Sequence, residues 1–409
     1  MKTVGWRALA ALAALLLVAA ACGDDGETDE DGAEGEPIRI GISLPLTGDF
    51  SQPGGAAEEG YRVWADLTNN EAGGILGRPV ELVILDDASS QDTVVTDYNR
   101  LITEENVDLL LGTFSSLLNI PASAVAERNQ MVYVEPAGGS PDLFDDGYEF
   151  LFFAQQATAP HQADKFVEWV LSLPDDQRPT TAAYPSQDDP FALPVIESIR
   201  DQLTEAGIEN VYETVYPPDT ANFDTIANDI QASGAELVAQ GAVFEDGVGL
   251  ARSFQRIDFT PAVLFQTSAP SNSDQYADGI GGADNAEGVF YAVSWHQDTP
   301  TPQNPEFVAA YDEQFGGIPA EDAADAFAAA QVLQTAVEAV GSLDQVAIKD
   351  WLHSNTVDTI LGELSWDETG APQGEFLLAQ WQSGQAEIVS PMEVATTDMV
   401  VHPKPEWAS

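Results

Sequence analysis

The stretch VDLLLGTFSSLLN, residues 107–119, decides the fold. Val107 to Leu111 is an apolar run too short for a helix and stopped by Gly112. It reads as a strand buried on both faces. Thr113, Ser115 and Ser116 form a hydroxyl-rich turn. The chain then becomes helical, with Pro121 at or near the first turn, where a missing N–H costs least. A strand that runs through serines into a helix start brings free backbone N–H groups and two hydroxyls to one point. Such a point suits an anion or a carboxylate oxygen. The same serines also serve as plain helix caps, and these residues alone leave both readings open.

Outward from this stretch the pattern alternates. Strands are expected at 38–45, 80–85, 107–111 and 131–134, with helices at 56–70, 93–105 and 122–128 between and after them; residues 48–55 read as a loop. Glu135-Pro136-Ala137-Gly138-Gly139-Ser140-Pro141 forms a second loop with exposed backbone. From about residue 156 the alternation repeats. Helices are expected at 159–173, 191–206, 223–233 and 248–256, and strands at 180–184, 211–215, 237–240, 262–265 and 289–293. Gly207 and Gly234 follow two of these helices in the expected position. Strands alternating with helices of this length mean parallel sheets built from βαβ units, here in two similar lobes. Helices at 306–315, 320–340 and 345–353, a hairpin-like stretch at 356–370 and strands at 376–381 and 385–389 close the chain. Residues 391–409 read as a tail or surface strap.

The 409 residues exceed one ordinary core, which also favours two lobes. Residues 1–21 read as a secretory signal: Lys2 and Arg7 flank the start, and residues 8–21 are apolar and end in small residues. The run is too short to be a reliable membrane span. It stops at Cys22, the only cysteine, so no internal disulfide forms. Ala19-Ala20-Ala21-Cys22 resembles a bacterial lipoprotein cleavage site with Ala19 where leucine is usual, and Cys22 is expected to be lipidated. Residues 22–36 then carry eight acids and no base, a self-repelling disordered tether. Without the signal, 12 bases face 68 acids, a net charge of −56. This surface excludes nucleic acid as a partner and disfavours self-association at low salt, so a monomer is expected. It also suggests adaptation to high salt.

Catalytic constellations are missing from the sequence. There is no GxSxG elbow, no phosphate loop and no GxGxxG opening a helix. His161, His296, His353 and His402 lack ligand spacing, so no metal and no cofactor are expected. Asp86-Asp87 ends a strand and reads as a turn-fixing pair. In open α/β sheets ligands bind at the carboxyl ends of strands, and two such lobes make a cleft that closes by hinge motion.

Six segments, in order, carry a family resemblance: IRIGISLPLTG at 38–48, NNEAGGILGRPVELVILDDA at 69–88, GTFSS at 112–116, EPAGGSP at 135–141, NFDTIANDIQASGAELV at 222–238 and TVDTILGELSWDETG at 356–370. The chain resembles, over about residues 37–390, the Leu/Ile/Val-type solute-binding proteins of bacterial ABC importers. The resemblance implies a type I periplasmic-binding fold: two doubly wound Rossmann-like α/β lobes joined by a three-crossing hinge. Lobe 1 would comprise residues 37–156 plus 294–367, lobe 2 residues 157–293 plus 368–390. The crossings would fall near 155–158, 293–295 and 366–370.

The resemblance also implies that Ser116, with Ala137, Gly138 and Gly139, holds an α-carboxylate or similar oxygen. Lobe 2 would contribute Phe191, Phe244, Glu245 and Ser268 from its strand ends, the two phenylalanines either stacking on ligand or packing in place. Gly139 stands where amino-acid binders often have threonine. No acid occurs at 267–269 to pair a ligand ammonium, for which Glu245 or Asp188-Asp189 are substitutes. Ser51 falls in the loop that elsewhere supplies a tyrosine. The family's small-loop disulfide falls on Ser89 and Ser115.

The expected function is an extracytoplasmic binding lipoprotein, anchored to the outer face of the cell membrane only through its lipid. It would capture a small polar solute, an amino acid, amide or carboxylate, and deliver it to an ABC permease and ATPase. The alternative is a sensor of the same fold that signals to a partner. An enzyme is not expected.

Overall fold

A computed structural model describes residues 35–408. The signal, Cys22 and most of the acidic tether lie outside the described residues. The body contains two mainly parallel sheets. The first holds β1 (Ile38–Leu44), β2 (Val80–Asp86), β3 (Leu109–Leu111), β4 (Tyr133–Glu135) and β5 (Leu151–Phe153) in the order β2-β1-β3-β4-β5, all parallel. The second holds β6 (Thr181–Gln187), β7 (Glu209–Tyr216), β8 (Leu237–Gln240), β9 (Val263–Gln266) and β10 (Val289–Val293). A small separate hairpin, β11 (Val357–Thr359) and β12 (Gly362–Leu364), precedes β13 (Leu377–Gln382) and β14 (Gln385–Ser390), which complete the second sheet in the order β14-β13-β10-β9-β8-β6-β7. Only β13 runs against the rest there, pairing antiparallel with β10 on one side and β14 on the other. β13 and β14 are joined by Ser383 and Gly384, both at positive φ, as a two-residue hairpin turn demands.

Core placement follows from the sequence pattern. Ile38, Ile40, Ile42 and Leu44 of β1 are fully buried, so this strand is central. The alanine-rich helix Glu321–Val340 returns long after β5 to cover the first sheet, beside helix Ser51–Glu71. Their approach depends on Gly60, because a Cβ there would lie 2.0 Å from Ala323 O. The second sheet has its own cores on its two faces, one around Phe254, Tyr276 and Trp381, the other around Phe166, Phe265 and Phe290.

Three chain passages link the sheets: residues 154–158 after β5, the stretch from Ser294 after β10, and residues 365–376 before β13. They are tied together. Gln156 Nε2 donates to Ser294 O at 2.7 Å and to Leu361 O at 3.1 Å, and Gly374 N–H donates to Gln156 O at 2.7 Å. Gly370, at φ 79°, passes so close to Leu151 that a Cβ would lie 1.7 Å from its carbonyl oxygen.

Several elements differ from the sequence reading. Helix Ser51–Glu71 begins within the expected 48–55 loop, since Pro53 falls in the first turn, where it loses no bond. Ser51 is therefore the first helical residue. Pro121 is the sixth residue of helix Ser116–Asn129, not in its first turn. The carbonyl it leaves without a helical partner, Leu117 O, instead accepts Gln91 Nε2 at 3.0 Å. The expected 159–173 helix breaks at Ala163 into Ala159–Gln162 and Asp164–Ser172. Strand β5 and helices Ser273–Gly279 and Ala283–Ala286 had no periodic signal. Residues 391–408 form a strap on the second sheet: Val401 pairs with the Gln380 side chain, and Trp407 Nε1 donates to Phe259 O at 2.7 Å. Among the described residues, no helix is long and apolar enough to cross a membrane.

Candidate ligand-binding cleft

Each sheet reverses its strand order once. In the first sheet the chain steps from β1 to one side and then to the other, so the switch lies between β1 and β3. In the second the switch lies between β6 and β8. Crevices at the carboxyl ends of such strands are where open α/β sheets bind ligands.

In the first lobe the loops after β1, β3 and β4 meet. Phe50 and Phe114 pack edge to face, with ring centroids 5.6 Å apart. Phe114 forms a parallel bridge with Ala137. Ser116 is buried, and its Oγ accepts the Ser140 N–H at 3.1 Å, which draws the serine turn against Ala137, Gly138 and Gly139. Asn119 clamps the same two loops: its Nδ2 donates to Thr113 O, Ala137 O and Glu135 Oε2. A Cβ at Gly138 would meet the Glu135 carboxylate at 2.9 Å, whereas Gly139 has a looser surround and its carbonyl accepts the Ala159 N–H at 2.7 Å.

Neither serine caps the following helix; no side-chain bond closes its first turn. Leu118 N–H turns back to Ser115 O at 3.2 Å, which leaves the Ser116 and Leu117 N–H groups at the open end of the turn, with the positive end of the helix dipole behind them. Ser115 takes φ 70°, a costly conformation for a non-glycine residue. Its Oγ is buried without a hydrogen-bond partner among the described residues, as is Gln52 Oε1. The sequence offers both hydroxyls of this turn as oxygen-ligand donors or helix caps, and the family resemblance singles out Ser116. Gln52 was missed, because only its position one residue into an unrecognised helix brings it here.

Beneath these loops lies a buried polar network. Tyr133 OH donates to Asn119 Oδ1 at 2.6 Å, Tyr98 OH to Leu111 O at 2.7 Å, and Thr113 Oγ1 to Asp87 Oδ2 at 3.1 Å. Burial pushes the Asp87 carboxyl up to about 6 and raises Glu135 well above the carboxylate range. Asp86 fixes the turn after β1, accepting from Leu46 N, Thr47 N and Thr47 Oγ1.

In the second lobe Phe191, Phe244, Glu245 and Ser268 stand on neighbouring loops. The N–H of Ser268 donates to Ala242 O at 3.2 Å, and the Thr267 hydroxyl bridges to the Ala242 backbone. Phe191 and Phe244 are half-buried and each leans on its own lobe's core. Glu245 begins helix Glu245–Arg256 and is exposed. Asp189 cannot serve as a free acid: its Oδ1 accepts Phe191 N and Ala192 N at 2.8 and 2.9 Å, capping the next helix. Asp246 is likewise engaged, accepting from Tyr216 OH at 2.8 Å. Exposed Asp188 and Glu245 remain as carboxylates of this rim. Gln187 Oε1, at the end of β6, is buried without a partner among the described residues and was not anticipated. Ser51, at its helix start, is exposed. Among the described residues no group of three or more His, Cys, Asp or Glu side chains could hold a metal ion.

Comparison with known proteins agrees with this architecture. Residues 37–386 match a family model described as periplasmic binding protein. The Leu/Ile/Val-binding protein homolog 7 of Brucella suis is 25% identical over 378 residues, covering 88% of this chain and 93% of that protein. Among solved structures, the branched-chain amino acid transporter substrate binding protein LivJ from Streptococcus pneumoniae, in complex with isoleucine, superposes with a TM-score of 0.75 at 17% identity, covering 87% of this chain and 100% of that one. A solute binding protein of an ABC transporter from R. palustris, in complex with benzoate, gives a TM-score of 0.73 at 16% identity, covering 89% and 99%. The chain thus belongs to the periplasmic binding protein family, the solute-binding proteins of ABC transporters, which capture ligands and are not enzymes.

Proposed function

We propose that this protein captures a small solute bearing a carboxylate or comparable oxygen group between its two lobes and hands it to an ABC permease. The observation that carries this reading is the uncapped helix start at Ser116, set at a topological switch point beside the Ala137–Gly139 backbone. The Ser116 and Leu117 N–H groups, the Ser116 proton and the Ser115 hydroxyl supply donors for an oxygen ligand. Phe191 and Phe244 supply apolar walls, and Glu245 or Asp188 an acid for a ligand ammonium. Relatives named for leucine, isoleucine and valine favour an aliphatic amino acid. The benzoate-bound relative of similar fold favours a carboxylic acid without an ammonium group. Cys22, lipidated, and the acidic tether would hold the body outside the cell membrane.

A thermal-shift screen of residues 37–409 in high salt tests this, with aliphatic amino acids, amides and aromatic acids as probes. A ligand at 100 times its Kd adds about 2.7 kcal/mol of stability. A shift with leucine or isoleucine assigns the rim acids to the ammonium; a shift with benzoate alone removes that role. No shift with any carboxylate overturns the proposal.

A further inference from the structure

The middle passage between the lobes poses a proton-counting problem. Ser294 Oγ lies 2.8 Å from Glu321 Oε1 and 2.6 Å from Asp325 Oδ1, and the Ser294 N–H also donates to Glu321 Oε1 at 2.5 Å. A hydroxyl has one hydrogen. It donates to one of these oxygens, so the other contact pairs lone pair with lone pair unless that carboxyl carries a proton of its own. The other Asp325 oxygen accepts Gln155 Nε2 at 2.6 Å, and the same nitrogen donates to Pro136 O at 2.9 Å, which commits both its hydrogens.

Among the described residues no cation relieves the charge. On the helix itself the neighbours are Glu321, Asp322 and Asp325. Helix Ser51–Glu71 offers Tyr61, whose hydroxyl donates to Gly112 O, and Glu59, which accepts from Tyr311. Strand β4 offers Glu135, β10 offers Tyr291, and the second lobe offers the hydroxyl of Ser271, which hydrogen-bonds Glu321. His296 is directed elsewhere, with Nε2 at 3.3 Å from Ala386 O and Nδ1 accepting Asp298 N. Among the described residues, every titratable group facing the pair is an acid or a phenol. Burial raises both carboxyls, Asp325 strongly.

We infer that the hinge holds one proton shared by Glu321 and Asp325 through Ser294, and that its loss loosens the middle passage and, through Gln155, the Pro136–Gly139 loop. Two adjacent ionised carboxylates repel each other, and one of the two bonds at Ser294 Oγ is lost. The consequence for capture rests on the proposed function; the proton does not, since it is a property of the ligand-free chain.

Amide exchange of residues 291–296, followed by mass spectrometry in the ligand-free full chain and corrected for the intrinsic rate, reads this directly. Protection is expected to fall at least tenfold between pH 6 and pH 9. Asp325→Asn supplies a permanent N–H to Ser294 Oγ and is expected to keep protection constant over that range. Should the first variant fail to fold, Glu321→Gln keeps an oxygen for the Ser294 N–H and removes the second charge, so the fall in protection between pH 6 and pH 9 is expected to be smaller than in the wild type. A flat wild-type profile, or an unchanged pH response in the folded variants, overturns the inference. Absence of a ligand hit in the thermal screen leaves this readout intact and overturns only the capture reading.

Discussion

Ser116 Oγ accepts the N–H of Ser140 across 24 residues of chain, so one hydroxyl fastens the turn after β3 to the loop after β4. The same oxygen keeps a proton that no described residue accepts. Ser116→Ala removes both roles. Stability should fall by about 1 kcal/mol, because the buried Ser140 amide loses its acceptor. Affinity for whichever probe shifts the melting temperature should fall about tenfold, equivalent to about 1.4 kcal/mol. Ser115→Ala is the informative partner. Its Oγ bonds nothing among the described residues, so stability should change by less than about 0.5 kcal/mol while affinity falls. Calorimetric titration of both variants separates a ligand contact from a loop tie.

Asp87 makes stability depend on pH in an unusual direction. Burial pushes its carboxyl up to about 6 in the fold, above the ordinary aspartate value of 3.8. The native state therefore holds a proton that the unfolded chain has released, and stability falls as pH rises through that window. Asp87→Asn keeps an acceptor for Ser89 N–H and cannot ionise. Relative to wild type, it should gain roughly 2–3 kcal/mol between pH 4 and pH 7. Denaturant unfolding at the two pH values checks this; a constant difference would assign the network no ionisable role.

Two glycines of one helix should respond oppositely to alanine. Gly55 has nothing within 4 Å of its would-be Cβ, whereas that of Gly60 would lie 2.0 Å from Ala323 O. Gly55→Ala should stabilise by up to about 1 kcal/mol through helix propensity. Gly60→Ala has the same propensity gain but must push helix Glu321–Val340 off its seat, at roughly 1–3 kcal/mol. Thermal unfolding of the pair should show the melting temperature rising for the first and falling for the second.

The fold was legible because its strands declare themselves locally. Residues 237–240 and 289–293 are strands in the structure with the bounds their apolar runs indicate. The switch-point turn was legible for the same reason, since a buried strand followed by serines admits few readings. What stayed hidden depends on distant partners. Pro121 is tolerated in a second turn only because Gln91, 26 residues from Leu117, supplies the missing donor. Asp189 looked available as a ligand acid, yet its carboxylate is engaged as a helix cap, a role that appears only once Ala192 is known to begin that helix. Gln52 and Gln187 carry no motif; their buried amide oxygens become visible only after the loops fold.

Salt should stabilise this protein. After removal of residues 1–21, 12 bases remain for 68 acids, so even complete pairing leaves 56 acids without a cation. The bases are already engaged where the fold shows them: Arg39 with Glu81, Arg200 with Asp201 and Lys349 with Glu149, each partly exposed. Such exposed pairs contribute about 0–1 kcal/mol each, and screening weakens them. Screening also relieves repulsion among the far more numerous unpaired acids, a sum over many pairs separated by less than the Debye length of about 10 Å at 0.1 M. Repulsion outnumbers attraction, so the net effect is stabilising. The melting temperature of residues 37–409 should rise steadily from 0.05 M to 2 M KCl. A flat or falling profile would mean that the acids lie far enough apart for their mutual repulsion to be negligible.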